Sequence, residues 1–223
     1  MLYRVVKVRH RSRHLITLSL IFAGIYGFVG IKSIQAQITP DSSLGNESST
    51  VTPNATINNV KAELIEGGAI RDNNLFHSFS DFNIESGNAA YFASPDGIAN
   101  ILTRVTGKNV STIFGNLGVD GSANLFLLNP NGIVFGKNSS LNIDGSFLGT
   151  TAESYSFENG FEYSAVKPAS PDLLTINIPI GLQFGANQAE IINRSNYSDP
   201  DDIIRGLDIS AQETLSLIGG EVF

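Results

Sequence analysis

The chain has 223 residues, of which 14 are basic and 21 acidic, and it contains neither cysteine nor tryptophan. A net charge of −7 disfavours nucleic acid and anionic lipid as partners, because phosphates need Lys and Arg to neutralise them. With no disulfide available, a chain of this size relies on one apolar core and its hydrogen bonds.

The basic residues cluster at the start. Arg4, Lys7, Arg9, Arg11 and Arg13 precede an apolar run from Leu15 to Ile31, and Ser33–Gln37 reads SIQAQ. This pattern predicts a signal peptide over residues 1–36, handled by the Sec export machinery and cleaved after Ala36. An uncleaved membrane anchor is the competing reading, since the run is nearly long enough to span a bilayer. Cleavage leaves eight basic residues against 21 acidic, a net charge of about −13. It also confines membrane contact to the signal segment.

Residues 37–55 are rich in Ser, Thr, Asn, Pro and Gly and are expected to form a flexible leader. From there short apolar runs follow one another. Strands are expected at Ile57–Ile65, Phe79–Ile84, Ala89–Ala93, Asn100–Val105, Val110–Phe114, Leu125–Leu128, Ile133–Phe135, Leu141–Ile143, Ser146–Leu148, Leu174–Ile178, Ile191–Ile192, Ile203–Ile204, Leu207–Ile209 and Leu215–Ile218. No amphipathic run of helical length interrupts them.

Asn124–Gly136, NLFLLNPNGIVFG, is the most informative stretch. Its two apolar runs flank Asn129, Pro130, Asn131 and Gly132, which predict a sharp reversal: Pro130 fixes its own φ, and Asn131 and Gly132 tolerate positive φ. Neither run alternates polar with apolar residues, so both belong to a sheet buried on each face. The phrase returns as YFASPDGI at Tyr91–Ile98 and as PIGLQFG at Pro179–Gly185, which reads as an uneven internal repeat. Short strands with tight Asn- and Gly-bearing corners fit a parallel β-helix better than a sandwich. Asn129, Asn131, Asn138 and Asn142 are candidates for ladders between its coils. Residues 152–172 break the spacing and are expected to leave the coil. The end, TLSLIGGEVF, reads as a coil left open or truncated.

Catalytic constellations are scarce. Downstream of the signal segment His77 is the sole histidine, and it lies between apolar residues, as a packed imidazole does. Asp199, Asp201 and Asp202 lack the spacing of a calcium loop, so no catalytic, cofactor or metal residue is expected. A polysaccharide lyase, which the fold class also hosts, would need a concentrated set of carboxylates with Arg or Lys that the strands do not carry. An adhesin or carbohydrate-binding β-helix is the stronger alternative.

Five segments in order, GGAI at 67–70, NLFHSFSDFNI at 74–84, YFASPDGIANILTRVTG at 91–107, NPNGI at 129–133 and FLGTTA at 147–152, carry a resemblance. From about Thr56 to Phe223 the chain resembles the N-terminal secretion domain of filamentous haemagglutinin-type exoproteins, the exported half of two-partner secretion. The resemblance implies an all-β domain over 56–223, a right-handed single-stranded parallel β-helix with short extra-helical strands. It also implies recognition in the periplasm by the polypeptide-transport-associated domains of a partner outer-membrane β-barrel transporter, then passage through that barrel. Folding would begin outside, nucleated by the early coils, and the product would be secreted or held at the cell surface. The family's box falls on Asn129, Pro130, Asn131, Gly132 and Ile133, either as a turn or as a contact for the transporter. A separate NPNL-type box, frequent in the family, is missing from this sequence.

Overall fold

A computed structural model describes residues 38–168, 179–186, 188–196, 198 and 206–223. The signal segment, the expected strands Leu174–Ile178 and Ile203–Ile204, and the Asp199, Asp201 and Asp202 cluster lie outside the described residues. The strands are β1 (Ile38–Pro40), β2 (Ser49–Ile57), β3 (Val60–Gly67), β4 (Ala69–Arg71), β5 (Asn74–Phe82), β6 (Ala89–Ala93), β7 (Asn100–Val105), β8 (Ser111–Ile113) and β9 (Asn116–Asp120). They continue with β10 (Asn124–Leu128), β11 (Ile133–Phe135), β12 (Ser140–Asn142), β13 (Phe147–Thr150), β14 (Ser154–Phe157), β15 (Glu162–Ser164), β16 (Pro179–Gln183), β17 (Ile191–Asn193) and β18 (Leu215–Ile218). One 3-10 turn, Gly45–Glu47, lies between β1 and β2.

Three faces close into a coil. Face A stacks β5, β7, β10, β13 and β18, face B stacks β3, β6, β9 and β12, and face C stacks β8, β11 and β17. These neighbours pair in parallel, so Leu75, Ile101, Leu125, Phe147 and Leu215 lie one above another. Matching positions are 26 residues apart between Asn74 and Asn100, 24 between Asn100 and Asn124, and 22 between Asn124 and Ser146. The next step, from Ser146 to Thr214, takes 68. This is the expected parallel β-helix, of about three turns.

Side chains alternate across each strand, and face A is apolar on both sides for a visible reason. Leu75, Ile101, Leu125 and Phe147 point into the coil, where they meet Ile65, Phe79, Phe92, Ile113, Ile133 and Phe135. Phe76, Leu102, Phe126 and Leu148 form the outward row, covered by Tyr155, Phe157, Tyr163 and Leu182. Those covering residues come from the antiparallel sheet β15-β14-β16, which leaves the coil after Thr150. The excursion expected over 152–172 is described as far as residue 168, and through β14 and β15 it turns back onto face A as a lid. Each large apolar side chain buried this way contributes about 1.5–3 kcal/mol relative to exposure.

Several expectations change in position. Residues 37–55, read as a flexible leader, include β1, which pairs with β5, and most of β2, which pairs with β3. Thr and Val at alternate positions fit an edge strand, and Pro53 with the register shift between Thr52 and Ala55 blunts that edge. The run Ile57–Ile65 is broken into a hairpin at Asn58 and Asn59, both at positive φ. Leu207 and Ile209 form no strand but still pack against the core. The three copies of the repeat occupy three different places: Ser94–Ile98 turns face B into face A, Asn129–Ile133 turns face A into face C, and Pro179–Gln183 is β16 of the lid. An asparagine ladder does run between coils, but through Asn74, Asn100 and Asn124 at the start of face A. Asn100 Nδ2 donates to Asn74 Oδ1 and Asn124 Nδ2 to Asn100 Oδ1, each at 3.0 Å.

Candidate recognition corner

Asn129–Gly132 does not reverse the chain between paired strands. It is a corner, because β10 pairs with β7 and β13 while β11 pairs with β8 and β17. Pro130 takes the second turn position, where its fixed φ belongs, and Gly132 N donates to Asn129 O at 3.1 Å. The positive φ, 116°, falls on Gly132 alone, and Asn131 keeps a negative one.

The amide of Asn129 is fully buried and fully used. Its Nδ2 donates to Asn109 O at 3.0 Å and to Ser111 Oγ at 2.9 Å, both one coil below. Its Oδ1 accepts from Asn131 N at 2.9 Å and from Asn131 Nδ2 at 3.1 Å. Asn131 Nδ2 also reaches Gly107 O at 2.8 Å. From the coil above, Thr150 O accepts from Asn129 N and Glu190 O from Ile133 N. Ile133 itself is a core residue. Of the five box residues only Pro130 and Asn131 retain partial exposure. The corner thus binds three successive coils through backbone and amide groups, at the edge from which the lid departs one coil later.

Sequence reading missed a second polar site on the outward side of face A. Arg104 is fully buried. Its Nε donates to Ser78 Oγ at 3.0 Å, its Nη1 to Ser164 O at 2.9 Å and its Nη2 to Ser43 Oγ at 2.8 Å, and its Cζ lies 4.2 Å from the Tyr163 ring centre. The two serine hydroxyls in turn donate to Asp41, Ser43 Oγ to Oδ1 at 2.6 Å and Ser78 Oγ to Oδ2 at 2.8 Å. Burial pushes the Asp41 carboxyl up, yet bonds from Ser43, Thr106 and Ser78 outweigh it and hold the group below its usual value. Burial pushes the Tyr163 hydroxyl up, and that hydroxyl donates to His77 O at 2.7 Å. A polar pair 63 positions apart leaves no periodic signal, so only the oddity of Arg104 inside an apolar strand hinted at it.

His77 points into the coil between Phe79 and Phe92. Its Nδ1 is 2.9 Å from Ser49 Oγ, while Nε2 has no partner. Burial lowers its pKa to about 3, so the ring is neutral and serves packing. Among the described residues no group of three His, Cys, Asp or Glu side chains is placed to hold a metal.

Comparison with known proteins agrees with this architecture. The solved structure of the HMW1 secretion domain from Haemophilus influenzae matches with a TM-score of 0.53 at 20% identity, over 83% of this chain and 40% of that one. A heme/hemopexin-binding protein of Haemophilus influenzae is 34% identical over 79 residues, which are 35% of this chain and 8% of that protein. This chain therefore spans a small part of the length of that relative. The TPS secretion domain profile matches residues 36–223, so the chain belongs to the TPS secretion domain family of two-partner secretion.

Proposed function

We propose that this chain is a non-enzymatic address: an outer-membrane β-barrel transporter of the two-partner type binds it in the periplasm while it is extended, and its coils then nucleate folding outside the cell. Residues 1–36 act first, as a cleaved signal read by the Sec machinery, and the final location is secreted or at the cell surface. Family membership supports the secretion role. The finer reading rests on the state of Asn129, Pro130, Asn131, Gly132 and Ile133. Their amide and backbone groups are spent on neighbouring coils, with only Pro130 and Asn131 partly exposed, so a partner meets those groups before the coil forms. After folding, the same groups act as a corner that ties successive coils.

Export separates the two duties. The chain is expressed in a Gram-negative host with and without its candidate barrel, and the fraction reaching the medium is measured. Export that depends on the barrel is expected. A chain that stays periplasmic and folded with the barrel present overturns the proposal. Asn131→Ala is then compared with a core variant of equal stability lying far from the corner. An equal export loss means the box acts through folding, and a larger loss for Asn131→Ala means that the transporter reads it.

A further inference from the structure

The Arg104 network joins three parts of the chain that are remote in sequence. Asp41 and Ser43 belong to the N-terminal cap, the segment that runs from β1 into the 3-10 turn. Ser78 and Arg104 sit on face A, and Tyr163 and Ser164 belong to the lid. The guanidinium is desolvated by the lid but answered electrically by the cap. Each bridging hydroxyl accepts from Arg104 and donates to Asp41, so the opposite charges meet through a relay of two serines. The lid itself supplies one carbonyl and one ring face, neither of them an anion. Among the described residues no carboxylate makes a direct salt bridge with Arg104, and Asp41 is the one its hydrogen-bond network reaches.

We propose that Arg104 makes closure of the lid conditional on the N-terminal cap: β14 and β15 seat on face A only where Asp41 and Ser43 are already in place. Closing over Arg104 without them buries a charge with no counter-ion, a far larger cost than losing one neutral hydrogen bond. With them, the charge is matched and the outward row Phe76, Leu102, Phe126 and Leu148 is sealed from water. A chain whose first residues have not docked therefore keeps its lid open. The device is a property of the fold and goes beyond the transporter reading, whose failure would leave it standing. Leu44 provides the rival route, since this fully buried cap residue packs in the same outer cluster without any charge.

Hydrogen–deuterium exchange on the purified chain distinguishes the routes. The amides to follow are Glu153, which donates to Gln183 O, and Ala165, which donates to Glu153 O, with β10 amides as the report on the coil. Asp41→Asn is expected to speed exchange at the two lid amides by about tenfold while leaving β10 within about twofold. In an Arg104→Met background, where no charge needs answering, the same change is expected to leave the lid within about twofold. Equal acceleration in both backgrounds overturns the proposal in favour of Leu44, and no acceleration in either overturns it outright. Should Asp41→Asn fail to fold, Ser43→Ala removes one arm of the relay and is read by the same criteria.

Discussion

Two corners of this molecule have nearly the same sequence and opposite situations. Ser94–Ile98, SPDGI, and Asn129–Ile133, NPNGI, each place Pro two positions before Gly and end on a buried Ile. At the first, Pro95, Asp96 and Gly97 face solvent, and the bond from Ile98 N to Pro95 O closes the turn. At the second, Asn129 and Gly132 are buried and the amides reach into neighbouring coils. The shared phrase therefore reports turn chemistry, while the neighbours decide whether a turn also holds the stack together. Asn in place of Ser94, and Asn in place of Asp96, provide the amide donors that make the difference.

Removing those donors tests the contrast most severely. Asn129→Ala leaves the buried Ser111 Oγ without its amide donor, at about 1–3 kcal/mol for an unsatisfied buried group, and also breaks the bonds to the exposed Asn109 carbonyl and the part-exposed Asn131 N–H, at about 1 kcal/mol each. Asp96→Ala, at the exposed corner, is expected to stay within about 0.5 kcal/mol of wild type. Urea denaturation of the purified chain, read as a shift in midpoint at constant slope, measures both. Similar midpoints for the two variants would erase the distinction between the corners.

Acid sharpens the comparison by adding a term common to both variants. His77 is held neutral in the fold with a pKa of about 3, against an ordinary value of 6.5. Between those values the unfolded chain binds a proton that the folded chain does not, so stability rises with pH and falls on acidification. The expected slope is about 1.4 kcal/mol per pH unit below pH 6.5, flattening near pH 3. His77→Gln should abolish most of this slope. The gap between Asn129→Ala and Asp96→Ala, by contrast, should hold constant from pH 7 to pH 5, because the ring's partners are Ser49, Phe79 and Phe92 and neither substituted residue touches it. A gap that narrows with acid would mean that the corner and the His77 end of the coil are coupled.

Much of this architecture is legible in the sequence for physical reasons. The run NLFLL shows no polar face, and that signal correctly marks face A as buried on both sides, although it does not say what covers the outside. The excursion was legible as a break in spacing. Its return as a lid was not, since Tyr155 and Tyr163 find Phe126 and Phe76 through contacts that follow no period. The leader misled because Ser, Thr and Asn, poor core formers, suit an edge hairpin such as β2 and the loop that holds Asp41. Asparagine ladders were expected at the corners because turns favour Asn, yet stacking needs one residue per coil at equivalent register, which Asn74, Asn100 and Asn124 satisfy. For the corner box, the turn followed from Pro130 and Gly132. Which carbonyls the two amides reach depended on the loop Gly107–Ser111 of another coil.

The smallest expected effect bears on the glycines. Both Gly97, at φ 87°, and Gly132, at φ 116°, hold backbone conformations that an L side chain adopts only with strain. Alanine at either should cost about 1 kcal/mol from the backbone alone. At Gly97 a Cβ meets nothing within 4 Å, so the backbone term is the whole effect. At Gly132 it would stand 3.2 Å from Glu190 O, the carbonyl that accepts from Ile133 N. Relieving that approach moves a strut between coils, so Gly132→Ala should cost more than Gly97→Ala by up to about 1 kcal/mol, the worth of one hydrogen bond. Midpoints from paired urea titrations resolve such a difference. Equal losses would place the Glu190 carbonyl among the parts that yield freely, and the hold of the corner on the coil above would then rest on the bond from Asn129 N to Thr150 O.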